Sequence, residues 1–162
     1  MYLVAVQPPS NIRRSIYDYQ ISLFRRNSDP AALALPPHIP LAFFKTPPPR
    51  PCHLVQQEPL ESCGCFHDPP WLLLRFEPAR ELERLRSLLP KDSSPPWYPA
   101  GRSALLSRHE SKNALPVGEL PKLQWKTSQL VCLELKAESP ELWWESVEYT
   151  ETWQVKLKRK ID

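Results

Sequence analysis

Residues 2–6, YLVAV, form an apolar run closed by Pro8-Pro9. The run is too short for a helix and reads as a buried strand. The period then changes. Ile12, Ile16, Tyr19 and Leu23 recur at helical spacing through NIRRSIYDYQISLFRR, with Ser10 placed to cap the first turn and Asp29-Pro30 to end it. HIPLAFF, residues 38–44, reads as a second strand, and the proline-rich link KTPPPRP follows. Two further strands, about 60–66 and 71–76, are joined by HDPP. Pro78 opens a second helix in its first turn, with Leu82, Leu85, Leu88 and Leu89 on the buried face. Arg80, Glu81, Glu83, Arg84 and Arg86 cover its outside. RSALLSR, 102–108, reads as a strand between the polar stretches PKDSSPPWYPAG and HESKNALPVGELP. The tail suggests strands near 122–126, 128–137 and 151–158. The last alternates polar Thr152, Gln154, Lys156 and Lys158 with Trp153, Val155 and Leu157.

The predicted order is β, α, β, β, β, α, β, β, β. Two βαβ-like halves with one helix each define an α+β fold, pictured as a bilobal sheet with helices on the outer faces. Its 162 residues suit a single domain over 1–162. With 21 prolines and 3 glycines, the connections are expected to be stiff and extended. This scarcity of glycine also argues against Gly-rich phosphate loops, and no Rossmann or Ser/His/Asp signature is present. A net charge of +3 is too small to imply nucleic-acid binding by itself. No stretch approaches the ~20 apolar residues of a membrane span. MYLVAVQPPS has neither a basic n-region nor a long h-region. The expected compartment is therefore the cytoplasm, with reduced cysteines and no membrane partner.

The order of elements, with YLVAVQPPSNIRRSIYDYQ first and LPPHIPLAFF next, resembles the two-histidine (2H) phosphoesterase family. That family includes 2′-5′ RNA ligase-like proteins and cyclic phosphodiesterases. Its first signature is an apolar strand, two prolines, a helix, and then a strand with His-x-Thr before apolar residues. PPHIPLAFF matches the histidine and the strand, and has Pro40 where the threonine belongs. GCFHDPPWLLLRFEP looks like the family's central hairpin, and the stretch from LPKLQWKTSQLVCLELK onward looks like its closing strands. The resemblance covers nearly the whole chain. It implies two lobes with antiparallel sheets around a central cleft.

The resemblance also implies a chemistry. One histidine acts as general base and another as general acid on a phosphodiester, and two threonine hydroxyls hold the phosphate oxygens. Imidazole suits both tasks because its pKa lies at ~6.5. No metal or other cofactor is required. The second His-x-Thr belongs in YPAGRSALLSR, where the best sequence register sets Arg102 at the histidine position and Ala104 at the threonine. Arg102, with Ser103 beside it, is a candidate phosphate ligand. It is no proton shuttle, because a guanidinium does not deprotonate in a protein. His109-Glu110-Ser111 also reads His-x-Ser, but it stands at the end of the strand. His38 itself has two readings: a proton-transfer group facing a cleft, or a histidine at a strand mouth with a backbone partner.

Cys52, His53, Cys63, Cys65 and His67 are close in sequence. Zinc uses such ligands. CGC lacks the turn that Cys-x₂-Cys provides, so buried or half-buried thiols and no metal are expected. Cys132 reads as core. Trp97, Tyr98, Trp143 and Trp144 have the chemistry to stack bases, or to pack against a helix.

These readings lead to one expected function. It is a degenerate 2H protein that binds RNA ends or nucleotide phosphates through His38, Arg102 and Ser103, with weak or no catalysis. Two alternatives use the same scaffold: an active 2′,3′-cyclic phosphodiesterase with His38 and His109 as acid and base, and a protein-interaction module.

Overall fold

β1 (Tyr2–Gln7) forms where the apolar run predicts it, and it is buried on both faces. The computed structural model describes residues 1–52, 54–91, 103–108, 122–139 and 142–159. α1 (Ser10–Asn27) follows, with Ile12, Ile16, Gln20 and Leu23 buried. Pro9 rather than Ser10 takes the N-cap position, and no side chain caps the helix. A polar residue, Gln20, thus stands in the stripe that helical spacing assigned to Tyr19. A left-handed Ser28 ends the helix, its N–H donating to the Phe24 carbonyl at 2.7 Å. A 3₁₀ turn (Ala31–Leu33) leads to β2 (Ile39–Phe44).

The second half begins with short β3 (Val55–Gln56), then β4 (Leu60–Asp68), β5 (Trp71–Glu77) and α2 (Ala79–Ser87). α2 ends earlier than its leucine spacing suggests. Leu88 falls past the last turn and is 49% exposed, while Leu82, Leu85 and Leu89 are buried. Glu81 is not on the outer face either. It is 1% exposed, and it accepts hydrogen bonds from the Gln57 N–H and the Arg84 guanidinium. This pairing compensates a carboxylate whose burial is otherwise costly. β6 (Ser103–Arg108), β7 (Gln124–Trp125), β8 (Gln129–Lys136), a one-turn α3 (Trp143–Ser146), β9 (Glu148–Lys156) and β10 (Lys158–Arg159) complete the order.

The strands form two four-stranded antiparallel sheets, in the orders β2-β1-β8-β9 and β6-β5-β4-β7, with β3 and β10 as a small parallel pair. The two large sheets repeat one plan. In each, a strand, a helix and an antiparallel edge strand (β1-α1-β2 and β5-α2-β6) lie beside two further strands. This is the α+β, two-lobed arrangement that the element order implies. No residue-level repeat announces it.

Alternation along the strands divides the interior into two clusters. Val4 and Val6 of β1, Leu72 and Leu74 of β5, and Ala104 and Leu106 of β6 pack with the apolar stripes of α1 and α2. Leu3, Ala5, Leu73, Leu105, Val131 and Leu133 point the other way and pack with Trp143. Helices therefore cover one face of the sheets. The 3₁₀ turn and α3 cover part of the other. Burial on both faces explains why these strands read as continuous apolar runs.

Candidate functional site

Pro40 shows how the first motif is built. A central strand does not tolerate proline, because proline has no N–H for the ladder. β2 is an edge strand, and its pairing with β1 slips beside Pro40. Val4 faces Ala42 and Ala5 faces Pro40, so Leu41 is an extra residue. The bulge admits the proline and re-aims the strand. His38 is next but one before Pro40, on the same face by strand alternation.

β6 has the matching bulge. Leu72 faces Ser107 and Leu73 faces Leu105, so Leu106 is the extra residue. Superposing the two bulges equates Leu41 with Leu106, Pro40 with Leu105, and His38 with Ser103. By this equivalence Leu105 takes the place of Pro40, where the register read from sequence puts Ala104; Ala104 packs in the helix-side core. Ser103 is half-buried. Arg102 and His109 lie outside the described residues.

His38 is 6% exposed and lines a cavity of ≈ 10 Å³ with Gln20, Ala32, Leu35, Leu105 and Trp143. That space suits about one water and no phosphate. Trp143 is 1% exposed and packs in the same buried cluster as Phe43 of β2 and Leu105 of β6. Trp144 stands edge-on to Trp71 at 5.7 Å between ring centroids, with the Arg108 guanidinium 4.9 Å over its ring. Gln20 ties α1 to β6, its Nε2 donating to the Leu105 carbonyl at 2.8 Å. Its Oε1 is buried with no hydrogen-bond partner among the described residues. Sequence reasoning does not single out Gln20 as a site residue. A polar residue in an otherwise apolar helical stripe is the available signal.

His38 Nδ1 lies 2.6 Å from the Pro36 carbonyl oxygen. A carbonyl only accepts, so Nδ1 holds the proton of the neutral ring. Burial pulls the imidazole below its ordinary 6.5, and the Pro36 bond opposes this more weakly. The unfolded chain takes up this proton near 6.5 and the folded protein only at lower pH. Between these values the unfolded state binds more protons, so stability falls as the pH drops below about 6.5. Urea unfolding across pH 7.5 to 5 is expected to show this loss, and His38→Gln to flatten part of it. Equal slopes in both proteins would contradict the buried neutral imidazole.

His53, one of the sequence's candidate ligands, lies outside the described residues. Among the described residues no group of three or more His, Cys, Asp and Glu side chains converges. Cys52 and Cys63 are exposed and Cys65 is half-buried. A bulge at Cys63 puts Gly64 at φ +117°, a region glycine enters freely. Desolvation raises the pKa of Cys63 and Cys65, and pushes Cys132 up to about 11, which keeps these thiols protonated.

No family model and no curated protein matches the sequence. Solved structures do match the fold. TT0787 of Thermus thermophilus aligns over 99% of this chain and 99% of its own, with TM-score 0.60 and 14% identity. Escherichia coli LigT in apo form aligns over 97% of this chain and 96% of its own, with TM-score 0.57 and 14% identity. The same LigT complexed with 3′-AMP covers 97% of each chain, with TM-score 0.56 and 16% identity. The chain shares the fold of these structures. Of the motif residues that the sequence resemblance singles out at β2 and β6, the structure describes His38, Pro40, Ser103 and Ala104. No helix among the described residues is long and apolar enough to cross a membrane.

Proposed function

We propose that the protein is a cytoplasmic, catalytically silent 2H phosphoesterase relative that recognises nucleotide phosphates or RNA ends. The observation that supports silence is the small cavity of ≈ 10 Å³ beside the 6% exposed His38, lined among others by Trp143 and Leu105. Proton transfer needs a group within about 2.6–3.2 Å of the reacting atom. A phosphate kept out by an indole does not come that close. Leu105 and Pro40 offer no hydroxyl to hold its oxygens. Ser103 has a hydroxyl but does not exchange a proton near neutral pH as an imidazole does. The ligand class rests on likeness to the fold of LigT, which has been seen with 3′-AMP.

A cyclic phosphodiesterase using His38 and His109 is less well supported. From Ser103 to Arg108, β6 carries the chain about 16 Å along the strand before His109 follows. The filled sheet face favours a second reading, a scaffold that recognises protein. Calorimetry with a nucleoside 3′-monophosphate, beside a hydrolysis assay on a nucleoside 2′,3′-cyclic phosphate, separates the three. Binding without turnover is expected. Turnover abolished by His38→Ala would overturn the proposal, and neither binding nor turnover would favour the protein-recognition scaffold.

A further inference from the structure

α1 begins beside an open groove of ≈ 400 Å³ whose lining includes Pro9, Ser10, Arg13, Thr127, Ser128 and Lys156. We propose that this groove binds a phosphate monoester. It is separate from the His38 cavity and shares no lining residue with it.

Three observations point to an anion. First, two cations line the groove. Among the described residues neither Arg13 nor Lys156 has an ion-pair partner, and no carboxylate is among the described lining residues. Arg13 Nε is buried without a hydrogen-bond partner among the described residues, so one fixed donor of the guanidinium is unspent. Second, Ser128 is 3% exposed and its Oγ accepts the Trp125 Nε1–H at 2.7 Å. The hydroxyl proton is left with no acceptor among the described residues, so a buried donor borders the groove. Third, the helix start is electrostatically inverted. An N-terminus favours negative charge, yet α1 has no acidic residue in its first turn and has Arg13 close behind it. The first internal bond runs from the Arg13 N–H to the Pro9 carbonyl at 2.9 Å, and no side chain caps the N–H groups before it.

These groups have one feature in common: they donate. A ligand that satisfies them must bring several acceptor oxygens and negative charge. A phosphate monoester brings both, and the guanidinium fork matches it bidentately. The groove is also wider than a bare phosphate needs and leaves space for the esterified group. The choice of a nucleotide as that group rests on the functional reading above; the anion site rests on the groove alone.

Isothermal titration with inorganic phosphate, a nucleoside 3′-monophosphate and the unphosphorylated nucleoside tests the site. Binding of the two phosphates and not of the nucleoside is expected, with Arg13→Gln weakening it about tenfold or more. Lys156→Gln, on an exposed strand position, is expected to weaken it in the same direction without a change in thermal unfolding. His38→Ala is expected to leave the affinity unchanged. No phosphate binding, or binding that survives Arg13→Gln and Lys156→Gln but falls in His38→Ala, would overturn the inference. Binding of phosphate and nucleotide with equal affinity would retain the anion site and remove the nucleotide from it. Failure of the silent-enzyme reading has a different signature, turnover that depends on His38.

Discussion

Trp143→Ala is expected to lower the unfolding free energy by about 3–5 kcal/mol, the range for truncating a fully buried large aromatic. Trp143 is among the largest fully buried side chains of the protein, and it packs with Leu3, Ala5, Leu105, Val131 and Leu133. These contacts come from β1, β6 and β8, so the indole joins the two lobes across the face that holds His38. Its neighbours lie on rigid strands and collapse only partly into the space, which adds a cavity cost to the lost transfer energy. The urea midpoint should fall with little change in m. The His38 pKa should also rise toward its ordinary value as water reaches the ring, because desolvation is the main cause of its depression. A loss below about 1 kcal/mol would mean that the indole leaves this position readily, contrary to the closed cavity.

Much of the fold is legible in the sequence, for identifiable reasons. Pro8-Pro9, Asp29-Pro30 and Pro78 mark element boundaries, and the stripe Ile12, Ile16 and Leu23 has a period that only a helix satisfies. The order of elements, with the half-intact motif in HIPLAFF, points to the fold, which the solved structures bear out. The second motif is less legible. Ala104, Leu105 and Leu106 are all buried, because both faces of β6 are covered. Alternation therefore leaves no trace of which residue faces the motif side, and the bulge at Leu106 is invisible without its partner strand. Glu81 fails for another reason. Its place on the helix is polar by pattern, and only the tertiary approach of Gln57 and Arg84 makes burial tolerable. For Trp143 the sequence suggests base stacking or packing against a helix. It lies instead in a one-turn helix of its own, wedged onto the sheet, and no local rule places it there.

The consequence for chemistry is the largest effect expected. Positioned proton transfer by a side chain typically contributes about 10²–10⁴-fold to rate. The two-histidine arrangement that the fold implies asks for this twice, once from each motif. Under the proposed reading Ser103 stands at the second histidine position by the equivalence of the two bulges, and His38 is 6% exposed beside a cavity of ≈ 10 Å³. Under that reading both contributions are therefore expected to be lost. The most direct measurement is the rate of hydrolysis of a nucleoside 2′,3′-cyclic phosphate by the native protein, divided by the rate for His38→Ala under the same conditions. A ratio of about one is predicted, with both rates at the uncatalysed background. A ratio of about 10² or more would show His38 transferring protons to a bound substrate, and would contradict the closed, silent site.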